Sequence, residues 1–156
     1  MISKHKKKHN SHPVIPRIRA PKGYSFKVKD NHGSCYPITI SLHKRSLKKG
    51  RNNKYLNDCL GNVKLAKHWK HPRTLLIHST LLESYHNKGL GSRLYAKAIQ
   101  VGLERGYRVH SSGGSSEMAV RVWKGSTLRK YFNIRIHKQP DSALSDKWYA
   151  YAKKVA

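Results

Sequence analysis

Residues 81–92 read Leu-Leu-Glu-Ser-Tyr-His-Asn-Lys-Gly-Leu-Gly-Ser, and their types and spacing offer the clearest chemistry in the chain. Glycines at a turn that opens a helix let the backbone come close to a ligand, and the first amides of a helix lack partners within it. Those amides, together with the positive end of the helix dipole, suit an anion of pyrophosphate size. Two other phosphate motifs are excluded. GxxxxGK[ST] is absent, and Gly89-Leu90-Gly91 continues as Ser92-Arg93-Leu94, without the third glycine of GxGxxG. On the residues alone, the same turn also reads as two glycines that only cap their elements.

The elements around this turn must position it. The apolar run LLIHSTLL, within Arg73 to Glu83, has the length of a central strand buried on both faces. After the turn, Leu90, Leu94, Ala98 and Val101 fall on one helical face, and Gly106 closes the segment. A short strand, Tyr107 to Ser111, and a Gly-Ser turn follow. Ser116 then caps a second helix carrying Met118, Ala119, Val122 and Trp123. Tyr131 to His137 alternates as a late strand, and Ser142 to Ala156 fits neither period cleanly. Upstream, Tyr24 to Lys29 and Cys35 to Leu42 form a hairpin about Asn31-His32-Gly33, residues 43–54 form a loop, and Asn62 to His68 alternates weakly.

Charge is the dominant compositional fact: 33 Lys+Arg against 7 Asp+Glu in 156 residues give +26, with 11 His besides. Self-repulsion of that size calls for a polyanionic neighbour. Residues 1–22 hold seven Lys/Arg, three prolines and no acid, which reads as a disordered basic arm; residues 23–156 read as a single domain. The folded part is cationic too, since residues 58–156 hold 18 basic and 6 acidic residues. No apolar stretch is long enough for a membrane span, and residues 1–20 lack the apolar centre of a secretory signal, so an intracellular protein is expected. Cys35 and Cys59, with no CxxC, read as buried thiols, and the histidines lack the spacing of a metal site, so no metal is expected.

The order strand, xxGxG, amphipathic helix, short strand, Ser-rich turn, second helix, strand resembles the GNAT family of acetyl-CoA-dependent N-acetyltransferases across residues 73–136. The family writes its pyrophosphate loop [R/Q]xxGx[G/A]; here His86 stands at the first position, with Gly89 and Gly91 at the small ones. The resemblance implies an α/β (α+β) fold, a mixed, mostly antiparallel sheet flanked by helices. It implies that Leu81, Leu82, His86, Asn87, Lys88, Gly89, Leu90, Gly91 and Ser92 hold acetyl-CoA, with Leu81 offering backbone groups to the pantetheine arm. The family's NxxAxxLY-like pattern falls on Ser116, Ala119, Val122 and Trp123, with Ser116 as the hydrogen-bonding substitute for Asn.

Two departures bear on catalysis. Trp123 takes the place of the Tyr thought to protonate the departing thiolate, and an indole N–H is not an acid. Leu75 and Ile77 stand where some members carry a base. The remaining candidates are His78 and Glu83 as bases and Tyr131 as acid. Seven carboxylates cannot line a pocket for a polycation, so the expected acceptor is an amine on or near RNA, DNA or a nucleoprotein. The alternatives are a GNAT-like scaffold that binds nucleic acid without turnover, in a viral or other particle setting, and a small basic α/β domain outside the family. Oligomeric state is not legible.

Overall fold

The computed structural model of the chain describes residues 13–49, 55–81, 89–112, 116–138, 140 and 146–154. Among them are eight strands and three helices: β1 (Pro13–Val14), β2 (Tyr24–Asp30), β3 (Ile38–Lys49), β4 (Tyr55–Lys67), β5 (Thr74–Leu81), α1 (Leu90–Glu104), β6 (Arg108–Ser111), α2 (Glu117–Lys124), α3 (Ser126–Tyr131), β7 (Phe132–His137) and β8 (Lys147–Lys154). They form one sheet in the order β1-β8-β6-β5-β4-β3-β2, with β7 on β8 as well. Only β5 and β6 run parallel, joined by the crossover helix α1. The mixed, mostly antiparallel α/β architecture is the one the sequence implies.

Alternation sets the core. Ile38, Ile40 and Leu42 of β3, Val63 and Leu65 of β4, Leu75 and Ile77 of β5, Val109 of β6, and Trp148 and Ala150 of β8 are buried at every second position. The three helices gather on that face, where Leu94, Ala98 and Ile99 of α1, Trp123 of α2 and Leu128 of α3 join the same cluster. α1 ends in a Schellman arrangement: Gly106 is left-handed (φ 80°), its N–H donates to the Leu103 carbonyl, and Tyr107 N–H donates to that of Gly102.

Several expectations are corrected. Residues 43–49 belong to β3, and β4 begins at Tyr55, well before Asn62. A basic run that reads as loop forms a ladder because its backbone bonds are met by the partner strand, with register shifts at Leu42/His43 and Arg45/Lys49 absorbing the irregularity. Cys35 and Cys59 are exposed, Cys35 because β3 starts three residues after it. β5 is covered along its helix-side face by Leu75 and Ile77, whereas on the other face burial fades along the strand: Thr74 is buried, Leu76 half-buried and His78 exposed. Tyr131 is the last residue of α3, and the strand starts at Phe132.

The basic arm is also shorter than its composition suggests. Pro13 and Val14 pair with Lys154 and Lys153, and Ile18 is buried at 3% exposure, its N–H donating to Gln100 Oε1 at 2.8 Å. One buried side chain and one satisfied amide dock a segment whose other residues, 13–17 and 19–22, are half-buried or exposed. Residues 1–12 lie outside the described residues.

Candidate active site

The site begins where two parallel strands part. β5 and β6 pair from Thr74↔Arg108 to Ile77↔Ser111. β5 then continues to Leu81, held by β4 through His78↔Lys64, Thr80↔Asn62 and Leu81↔Gly61. Among the described residues no strand pairs with the other edge of residues 78–81. An unpaired edge presents N–H and C=O groups in a row, suited to an extended amide-bearing ligand. Ligands of α/β sheets gather at such carboxyl ends of parallel strands.

α1 starts beside this opening. Gly89, its N-cap, has φ 71°, and a Cβ there would meet nothing within 4 Å. The helix has no side-chain cap and no acid in its first turn. The amides of Leu90, Gly91 and Ser92 therefore precede the first intrahelical bond, which Arg93 N–H makes to Gly89 O at 3.3 Å. A left-handed glycine, clear space, uncapped donors and a following cation fit a pyrophosphate. Ser116 caps α2, its Oγ accepting from Ala119 N–H at 3.2 Å. That bond uses the oxygen as acceptor and leaves the hydroxyl proton to donate.

The catalytic candidates do not converge. His78 sits one residue past the last β5–β6 pair, exposed on the face away from the helices, its ring edge-on to Tyr36 at 6.2 Å. Tyr131 packs against the core on the helix side, with Lys130 Nζ 5.4 Å from its ring centroid. The two are therefore separated by the sheet and form no acid–base pair. Leu82, Glu83, His86, Asn87 and Lys88 lie outside the described residues. Trp123 is fully buried and edge-on to Tyr95 at 6.1 Å, a core residue that faces no substrate. No group of three or more potential metal ligands comes together among the described residues.

Sequence reasoning missed an imidazole beside the strand opening. His110 of β6 is buried at 3% exposure, with Nδ1 2.8 Å from Ser111 O. That contact makes Nδ1 the protonated nitrogen, because a carbonyl only accepts. Burial holds its pKa below the ordinary imidazole value, with the charges of His68, Lys147 and His71 acting in the same direction and the Ser111 bond opposing. Position 110 reads in sequence as an unremarkable strand residue; only the β6–β8 pairing buries it beneath Tyr149.

With this geometry in place, the fold and opening are those of an acyltransferase domain. The chain belongs to the acetyltransferase (GNAT) family, whose pattern matches residues 42–124. Members use acetyl-CoA and transfer its acetyl group to amines. Similar solved structures include an IAA acetyltransferase from Bacillus cereus ATCC 14579, at 14% identity and TM-score 0.47, covering 85% of this chain and 99% of that one. Another is diaminobutyrate acetyltransferase EctA from Paenibacillus lautus, in complex with L-2,4-diaminobutyric acid and coenzyme A, at 11% identity and TM-score 0.46, covering 73% and 69%. A third is an N-acetyltransferase from Staphylococcus aureus Mu50, at 16% identity and TM-score 0.45, covering 74% and 67%. No curated protein matches the chain in sequence.

Proposed function

We propose that the protein binds acetyl-CoA at the opening between β5 and β6 and transfers the acetyl group to an amine carried on or near nucleic acid. The observation that carries the cofactor site is the conjunction of the open edge at 78–81 with the uncapped start of α1 at Gly89. The amides of Leu90, Gly91 and Ser92 hold the pyrophosphate, Leu81 backbone groups receive the pantetheine amides, and the Ser116 hydroxyl donates a further hydrogen bond. Acetyl-CoA supplies the thioester; the chain orients it, and orientation alone removes much of the barrier. His78 stands at the opening on the exposed face, where its imidazole takes the proton that the amine loses as nitrogen bonds to the acyl carbon; the carbon–sulfur bond then breaks, and CoA leaves as a thiolate that takes a proton from solvent.

The nucleic-acid-associated acceptor is supported by charge. Three described carboxylates lie on the helix side, as Asp30 pairs with Arg105, Glu117 with Arg121, and Glu104 accepts from Gln100 Nε2 at 2.8 Å. Few are left to hold a polycation. The test is a thermal melt with acetyl-CoA, CoA and ATP at moderate salt. A ligand at about 100 times its Kd stabilises by about 2.7 kcal/mol. A rise specific to the two CoA compounds supports the site, and no rise overturns it, leaving the nucleic-acid-binding scaffold as the reading.

A further inference from the structure

The sheet face without helices carries a row of rings. Starting in the β4–β5 connection, His68 stacks on His71 (4.9 Å between centroids) and on Trp69 (6.2 Å), and meets His110 of β6 at 5.8 Å. His110 lies 4.8 Å from Tyr149 of β8, which meets His137 of β7 at 4.7 Å and stacks on Tyr151 at 6.4 Å with an interplanar angle of 17°. Arg135 covers the Tyr151 ring at 5.1 Å. The contacts are continuous across three strands and a loop.

At the far end the row opens into a cleft of about 640 Å³ lined by Pro13, Asn133, Arg135, Tyr151, Lys153 and Lys154. At the near end Trp69 is 85% exposed, with Lys70 Nζ 5.2 Å from its ring. An indole that exposed contributes almost nothing to the core. Neither the row nor the cleft contains a carboxylate; Asp146, one residue before β8, is the nearest in sequence.

We infer that this face is a docking platform for a single-stranded polynucleotide, with unpaired bases stacking along Trp69, His68, Tyr149 and Tyr151 and phosphates held by Arg135, Lys153 and Lys154. The Lys153 ammonium also donates to the Lys130 carbonyl at 2.9 Å and keeps further N–H donors for a phosphate. Rings alone would suit many apolar partners. Rings bordered by cations and free of acids suit a chain that alternates flat bases with negative charge, and the pairing of a stacking row with a cationic groove is how single strands are held without sequence readout. A duplex hides its base faces and engages only the cations. The platform gives a location to the anionic partner proposed above, but its argument uses no acetyl transfer.

The test is fluorescence anisotropy with labelled oligouridylate and oligodeoxythymidylate of about 12 nucleotides, and with a duplex of equal length, in the absence of acetyl-CoA. Both single strands are expected to bind alike and more tightly than the duplex, since neither stacking nor phosphate contact reads the sugar. Trp69→Leu and Tyr151→Leu are each expected to weaken single-strand binding by about tenfold with an unchanged salt slope, whereas Lys154→Gln lowers the slope. Trp69→Leu removes an exposed ring, so its melting temperature and its response to acetyl-CoA remain those of the parent, which separates this outcome from failure of the cofactor site. Equal affinity for duplex and single strand, or leucine variants that bind as the parent does, would overturn the platform and reduce the face to a non-specific cationic surface.

Discussion

Gly102 of α1 and Val109 of β6 touch so closely that a Cβ on Gly102 would lie 2.6 Å from Val109 Cγ2. The helix is therefore pressed onto the short parallel strand just before the strands part. Gly102→Ala gains helix propensity of roughly 1 kcal/mol but overpacks a stiff β-branched neighbour, at about 1–3 kcal/mol. Net destabilisation is expected in urea melts. Combined with Val109→Ala, the pair should lose less than the sum of the two single changes.

Ser92→Glu tests the anion site by a change that helps the helix. A carboxylate in the first turn complements the dipole, worth about 0.3–1 kcal/mol, yet it repels a pyrophosphate. Unchanged or raised stability with a weakened acetyl-CoA shift is expected in paired thermal melts. A variant that binds acetyl-CoA like the parent would place the pyrophosphate elsewhere.

Stability should fall on acidification. His68 and His110 both titrate below the ordinary imidazole value of 6.5, His68 through partial burial and the charges of His71, Lys147 and Lys70. The His68 ring also accepts backbone N–H bonds from Lys70 at 3.0 Å and His71 at 3.2 Å on Nδ1, which needs that nitrogen unprotonated. Above about pH 6.5 both states are neutral and nothing is lost. Below it the unfolded chain takes up protons that the folded one resists, so stability declines until the folded pKa values are passed. Urea midpoints measured against pH should show this decline, and His110→Gln should flatten it.

The Ile18–Gln100 bond ties the N-terminal segment to α1. Gln100→Leu leaves a buried N–H unmet, at a cost of about 1–3 kcal/mol, and releases the segment. Limited trypsin digestion should cut faster after the exposed Arg17 and Arg19, with the sheet otherwise intact.

Legibility followed the physics of each element. α1 was readable because Leu90, Leu94, Ala98 and Val101 repeat at helical spacing, and Ser116 because N-caps have a short-range signature. β3 and β4 beyond Leu42 and before Asn62 were unreadable: their Lys-rich stretch carries no apolar period, and its strand geometry comes from pairing across the hairpin. β8 gave mixed periods because Trp148 and Ala150 face the core while Tyr149 and Tyr151 extend the outer row. The opening between β5 and β6 was implied only through resemblance, since a register that ends at Ile77↔Ser111 is a property of two distant segments. His110 was hidden for the same reason.

β8 lies between β6 and β7 although it follows both in the chain, and β1 is seated on its end. A ribosome making this protein at roughly 5–20 residues per second therefore exposes the β6 edge, unpaired, until the last described strand emerges. Until then β1 has no seat and the outer row of rings is broken at Tyr149. Both ends of the described chain therefore meet in one late pairing, in which β8 closes the β6 edge, seats β1 and completes the ring row, whereas the Ile18 contact needs only α1.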